Sequence, residues 1–427
     1  MKKFKLVANA AIMGSLLIMN ASFADEPDEI QENGTAYYAD ATNDLVYVID
    51  VDEMQLEKVI QADVGSKPYP IDRANDQKTY VSTRNSYSIG VIDNFDLDLP
   101  MGAIALTHKP RSTSYNSRRG LALVSGADAA YSSVIKVNRD KVKRVVGQGE
   151  VWDPQVNTDF GGSNATGHPF WHKANRFFQL NRPAKKLELY HKNGTLLDSI
   201  ELPTTAHHLL RAPASVYGRK ARNTYFMALE GNPSQGVTPG LMRFKIKHNK
   251  IIITGIVWLD CSDCDPADMG GHHADISPDG GYIFMGSREG HMFVIDSMSM
   301  YIVAVLPTGT GSGHTRFVAG RDLALVTNHN DTFMTVIDTY DLTVVANIEV
   351  SDSCNLSGLK TIGHTTGLSP SEKYVYGVAS CTGQFFRIDL DSFEVDTLDL
   401  TQQVIAMGVN LPTGVAYPIQ GAAYFWE

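Results

Sequence analysis

A chain of 427 residues with 43% hydrophobic and 20% charged side chains has the composition of a folded globular protein and length enough for a large core, which excludes a disordered chain. The formal charge is −10 with no block of basic residues, which argues against nucleic acid and against anionic membrane surfaces as partners.

The first element in chain order is residues 1–24. Lys2, Lys3 and Lys5 precede an apolar run from Leu6 to Met19, and small residues stand at Ser22 and Ala24. This is the layout of a secretory signal cleaved before Asp25, and its apolar core is too short to span a bilayer. Removing its three lysines takes the charge from −10 to −13 on a chain expected in the periplasm or outside the cell. No later stretch is long and apolar enough for a membrane span, and residues 25–427 read as one domain.

From there the chain repeats itself. VYVID (46–50), IGVID (89–93), SVIKV (133–137), KLELY (186–190), LMRFK (241–245), MFVID (292–296), MTVID (334–338) and FFRID (385–389) recur at roughly 40–50 residues, the period of propeller blades. Asn-Asp, Asp-Gly and Asn-Gly turns and β-branched alternation lie between them, with no long amphipathic helical pattern. The expected fold is an all-β propeller of eight four-stranded blades, with seven as the alternative because the third unit is short. Residues 149–167 read as an insertion looping over one face. Thr35 to Ile60 supplies three strands without an opening one, and the tail PTGVAYPI after Leu411 reads as a strand without a blade. Residues 35–60 and 411–419 are therefore expected to close the ring as one blade, which covers both sheet edges.

Four cysteines allow three pairings. In an oxidising compartment the expected pairs are Cys261 with Cys264 and Cys354 with Cys381. The second pair links the loop entering a blade to the end of that blade's second strand, so its Cα atoms are expected within about 7 Å. The alternative for Cys261-Ser-Asp-Cys264, eight residues ahead of His272, is half of a zinc site.

The site comes from the phase of the repeat. Residues 272–286, HHADISPDGGYIFMG, are its clearest copy, and residues 313–328 and 364–378 repeat the layout with His314 and His364 where His272 stands. In a propeller, the start of each blade's first strand shares a face with the loop between its second and third strands. Lys67 or Pro68, His108, His168, His207 with His208, His272 with His273, His314 and His364 fall at the first place. Glu230 and His329 fall at the second. His172, His191, His248 and His291 lie elsewhere. A single histidine at a strand start ordinarily caps or hydrogen-bonds. Recurrence in six blades calls for a property specific to imidazole, and a cluster of neutral rings is the ligand set favoured by copper and zinc. A metal site in the channel mouth is therefore expected from His108, His168, His207, His208, His272, His273, His314, His329 and His364. Asp275 and Glu230 are candidates for orienting ligand rings, for ligation, or for moving protons. Lys67 is a candidate anion binder if it points inward and a solvated loop lysine otherwise.

The Ser-Pro-Asp-Gly turn and the strand endings LVTN (325–328) and TYVSTR (79–84) resemble the bacterial propeller repeats called the YVTN family, over most of the chain. The ring of histidines is similar to the copper propellers of nitrous oxide reductase and thiocyanate dehydrogenase. That resemblance implies a multinuclear copper cluster on His108, His168, His207 or His208, His272 or His273, His314, His329 and His364. The eight-unit count and the tail LPTGVAYPI resemble instead the d-type haem domain of dissimilatory nitrite reductases, which implies a haem in the same mouth. No Cys-x-x-Cys-His site for a c-type haem is present. The function expected first is a copper-dependent oxidoreductase acting on a small inorganic or anionic substrate, with a periplasmic electron-transfer protein as partner. The alternatives are a copper or zinc metallochaperone serving a metal-accepting protein, a d-type haem-binding propeller, and an interaction platform.

Overall fold

The computed structural model describes residues 34–153, 164–354, 356 and 359–426, so the signal segment lies outside the described residues. Strands alternating with tight turns build eight four-stranded sheets, in each of which sequence neighbours pair antiparallel. Seven are continuous in sequence and span residues 68–105, 110–151, 170–201, 206–258, 271–307, 312–349 and 367–399; they are numbered blades one to seven. The third unit has its full four strands, so the count of seven falls. Strand Lys141–Val151 runs through the start of the expected insertion at 149–167, and residues 154–163 lie outside the described residues.

The eighth blade joins the two ends of the chain. Gly34–Asp40, Leu45–Asp50 and Gln55–Gln61 take Gln420–Trp426 as their innermost strand, with Thr35 opposite Phe425. The termini share a blade as the sequence implied, but the closing strand is not 411–419. In that tail the backbone groups are engaged by side chains before a ladder can form. Tyr417 N–H donates to Asp40, Ala416 N–H to the Thr401 hydroxyl, and the Val415 carbonyl accepts from Asn43. The tail is a strap, and the next seven residues are the strand.

Burial follows position within a blade. Second strands such as Tyr374–Ala379 are buried throughout, because neighbouring blades cover both faces. Outer strands such as Gln55–Gln61 alternate with solvent. The core is accordingly a series of layers between blades. Phe178, Leu189, Tyr225 and Phe244 fill the layer between blades three and four, and Tyr38, Tyr47, Tyr376 and Phe385 fill the closing layer between blades seven and eight. Each such side chain contributes about 1.5–3 kcal/mol through burial.

Both expected disulfides are present, with Cα separations of 5.2 Å for Cys261–Cys264 and 5.6 Å for Cys354–Cys381. The zinc half-site at Cys261 and Cys264 is thereby corrected. His291 lies nearby, its Nδ1 4.0 Å from Cys264 Sγ, but sulfurs joined to each other offer no thiolate. Among the described residues no helix is long and apolar enough to cross a membrane.

Candidate metal centre

A β-strand alternates its side chains between two faces, so adjacent residues such as His272 and His273 should not both reach one site. A bulge resolves this. Pairing of the first strand with the second slips between Pro68 and Ile71, Ala206 and Leu209, Gly271 and Ala274, and Ser312 and Thr315. Each slip leaves two consecutive residues unpaired at the channel mouth: Tyr69 and Pro70, His207 and His208, His272 and His273, Gly313 and His314. An unpaired pair is free of the ladder and turns its side chains toward the axis.

Loops complete the cluster. His168 precedes strand Phe170–Lys173, and its backbone N–H donates to the His207 carbonyl at 2.9 Å. His364 precedes strand Gly367–Leu368 and is anchored by its N–H to the Ile419 carbonyl of the closing strap at 2.7 Å. His329 follows strand Leu323–Asn328, and its carbonyl accepts from Thr361 N–H at 2.8 Å.

Eight of the nine predicted histidines converge. Ring centroids lie 3.7 Å apart for His273 and His314, 4.0 Å for His207 and His272, and 4.8 Å for His208 and His273. His168 sits 5.0 Å from His207, and His329 stacks on His364 at 4.8 Å. Nε2 of His272 and Nε2 of His364 are 2.9 Å apart. Two ligand sets emerge, His272 with His273, His314 and His364, and His168 with His207 and His273; within each, one nitrogen per ring lies within 4.8 Å of the others. Two nitrogens bound to one copper or zinc ion at about 2.0–2.1 Å stand roughly 3–4 Å apart, so small ring rotations bring either set into range. His108 stays apart, hydrogen-bonded to the Lys109 carbonyl and to the Ser133 hydroxyl.

The nitrogens are available as well as close. His273 has no hydrogen-bond partner at either ring nitrogen, and Nε2 of His314, Nε2 of His329 and Nδ1 of His208 are likewise unpartnered among the described residues. Burial pushes His168, His207, His272, His273, His314, His329 and His364 well below the usual imidazole range, and neighbouring cations and rings push further. His208 is lowered to about 4, again chiefly by burial. The rings are therefore neutral at pH 7, each with a lone pair to offer.

Around the rings lies a charged layer. Glu230, fully buried after strand Thr224–Leu229, accepts from His207 Nδ1 at 3.0 Å and from Arg182 Nη2 at 2.9 Å. A carboxylate on Nδ1 sets the tautomer and leaves Nε2 toward the cluster. Asp275 has no hydrogen bond to a ring among the described residues. It accepts from Thr315 N–H of the next blade, as Asp72 accepts from Thr113, and burial raises both carboxyls to about 6. Lys67 is exposed, with its backbone N–H on Asp44, so the inward placement is corrected to the solvated loop.

The lysine at the site is Lys360, whose Nζ lies 2.7 Å from His364 Nδ1 and whose pKa burial, then Arg84, lowers to about 7. It sits in the long loop between strands Thr343–Glu349 and Gly367–Leu368, away from the two places that the repeat marks. Arg84 and Arg111 also went unread. Arg84 follows strand Lys78–Thr83 as Glu230 and His329 follow theirs, so the repeat phase does mark it. Arg84 lies over the Tyr69 ring at 4.1 Å, and Arg111 Nη2 is 3.4 Å from His207 Nδ1.

No family model matches the chain, and no sequence among curated proteins does. Solved structures do. The dihydro-haem d1 dehydrogenase NirN, in complex with DHE, superposes with a TM-score of 0.63 at 11% identity over 92% of this chain and 75% of its own. Apo AztD from Citrobacter koseri gives 0.59 at 11% over 92% and 99%, and a Lactobacillus plantarum protein 0.53 at 14% over 92% and 99%. The likeness is one of fold. At these identities it establishes the bacterial propeller architecture, leaves the chemistry to the residues, and confirms neither the YVTN family nor a copper propeller.

Proposed function

We propose that the protein is an exported metalloprotein whose histidine cluster binds copper, acting as an oxidoreductase on a small anion. The observation that carries the metal is His273, buried with two free ring nitrogens and shared by both ligand sets. A buried polar atom without a partner is costly, and an ion satisfies several at once. Nitrogen-only donors suit copper and zinc over harder cations. Export is supported by the charged-then-apolar leader and the two disulfides.

In this reading His272, His273, His314 and His364 hold one ion and His168 with His207 the neighbouring position, with His208 and His329 beside them. His108 lends its ring to Ser133 instead. Bound copper would polarise the anion and take up electrons, which an external electron-transfer protein carries off. Glu230 orients His207 through Nδ1. Lys360, near neutrality and touching His364, is the group placed to hold or release a proton, whereas Lys67 is exposed and Asp275 is engaged by Thr315 N–H.

A copper or zinc carrier is the second reading, since the same cluster could pass an ion to an accepting protein. Arg84, Arg111 and Lys360 favour the enzyme, because basic groups beside the rings attract an anion, which a carrier does not require. A d-type haem is disfavoured between rings already in van der Waals contact at 3.7–4.0 Å.

Loading purified protein with Cu(II) or Zn(II), followed by metal analysis and an absorption spectrum, tests the reading. A coloured copper-loaded protein is expected, and the double variant His272→Ala/His364→Ala should retain less than a tenth of the metal with unchanged circular dichroism. Full retention by that variant would place the ions elsewhere.

A further inference from the structure

We propose that Arg84 and Arg111, backed by Tyr69, form a binding site for a small oxyanion against the histidine cluster. The inference rests on the anion half of the reading above and does not require the metal.

The first ground is unpartnered donors. Arg111 is 2% exposed, yet its Nε and Nη1 have no hydrogen-bond partner among the described residues, and Nε of Arg84 is in the same state. A guanidinium keeps its charge at neutral pH, and burying its N–H donors without acceptors is costly even where, as for Arg111, the Glu230 carboxylate lends its field. Arg182 provides the internal comparison. It is buried as deeply, but the Glu230 carboxylate takes its Nε and Nη2 and the Asn164 carbonyl its Nη1.

Nearby carboxylates do not supply the missing partner. Glu230 is shared between Arg182 and His207, and Asp72 is occupied by the Thr113 N–H and hydroxyl. Lys360 adds another cation to the same surroundings, and its charge acts together with that of Arg84. A bound metal ion would raise the local positive charge further.

Placement is the second ground. Tyr69 occupies the bulge position that His207 and His272 fill in blades four and five, and Arg84 occupies the position of Glu230 and His329. Arg111 lies in the first strand of blade two, Pro110–Asn116, as the unpaired residue of the bulge between Pro110 and Ser112. Blade two thus presents Arg111 at the bulge phase where blades four to six present imidazoles, and blade one presents Arg84 at the phase of Glu230 and His329. The face of Tyr69 carries Arg84 at 4.1 Å, which holds that guanidinium through its cation–π contact. The field of both arginines reaches His168 and helps keep that ring neutral. An anion taken by Arg111 would lie against His207, since Arg111 Nη2 already stands 3.4 Å from that ring.

The donors set the class of ligand. A guanidinium presents flat, paired N–H groups that match two oxygens of a carboxylate or of a planar inorganic oxyanion, where a lysine offers only a point charge. Formate and nitrite have that shape, whereas chloride tests charge alone.

The experiment uses chelator-treated, metal-free protein in low-chloride buffer, with formate, nitrite and chloride titrated by calorimetry. Formate or nitrite is expected to bind at least tenfold more tightly than chloride, and Arg111→Gln and Arg84→Gln each to weaken that binding at least tenfold while copper retention stays at the wild-type level. Should Arg111→Gln fail to fold, Arg84→Gln and Arg111→Lys carry the test. Absence of oxyanion binding without metal overturns the proposal, as does binding that neither arginine variant weakens. Binding that appears only after copper loading also overturns it, placing the anion on the ion and leaving the metal reading intact. Loss of copper from wild-type protein with anion binding preserved would instead remove the metal reading and leave this one standing.

Discussion

Gly313 shows how little space separates the imidazoles. It stands where His207 and His272 stand in neighbouring bulges, and a Cβ there would fall well inside van der Waals contact with Nε2 of His329. Glycine at this one position lets His329 lie over His364. Gly313→Ala should therefore push His329 aside, lower stability by about 1–3 kcal/mol through overpacking, and weaken copper binding several-fold. Urea denaturation and equilibrium dialysis read the two effects separately. A variant with unaltered copper affinity would show that His329 is not needed to hold the ion. The histidines themselves were legible because they recur at one phase. The glycine was not, since its reason is a contact between residues sixteen positions apart in sequence.

The bulged first strands and the tethered loops do the positioning. Cys354–Cys381 bridges 27 residues and ties the segment before Lys360 to the end of the second strand of blade seven. Closing a loop of that length restricts the unfolded chain by about 3–4 kcal/mol in the chain-entropy account. Cys354→Ser/Cys381→Ser should lose stability of that order and bind copper more weakly, because Lys360 and His364 both hang on the released segment. Denaturation midpoints and copper titration check this. Wild-type copper affinity in the double variant would mean that Thr361 and Ile419, through their backbone bonds to His329 and His364, suffice to hold the loop. The cysteine pairing could be argued from turn and strand positions alone. The strap at 411–419 could not, since PTGVAYPI reads as a strand until Asp40, Thr401 and Asn43 are seen to bind it.

Across the whole ring the nine channel-face histidines have depressed pKa values in the folded state, with burial the leading cause in every case. In the unfolded chain they titrate near about 6.5. As pH falls from about 7 toward 4, the unfolded chain takes up protons that the folded one refuses, so the metal-free protein should lose stability on acidification and regain it above about 6.5. Asp72 and Asp275, raised to about 6, act in the opposite sense below that pH, and two carboxyls do not offset nine imidazoles. One pKa unit corresponds to about 1.4 kcal/mol, so a few rings behaving this way produce marked acid lability. The urea midpoint of metal-free protein should drop between pH 7.5 and pH 5. Replacing His272, His273, His314 and His364 with glutamine should flatten that dependence. An unchanged slope in the variant would locate the sensitivity outside the cluster.

The amino-acid sequence by itself pointed to a propeller of eight blades with seven as the alternative, to the sharing of one blade by the two ends, to the favoured pairing of the cysteines and to the face on which the histidines gather. All of these are properties of spacing, and a repeat of one supersecondary unit writes its geometry into its period. Only the tertiary structure decided which imidazoles meet, that His108 stands aside, that Glu230 belongs to Arg182 and His207, and that Lys360 rather than Lys67 is the lysine of the site. Those outcomes depend on bulges that reverse side-chain direction and on contacts between different blades. Periodicity places a residue on a face. What the side chain touches there is set by the neighbours that closure of the ring brings to it.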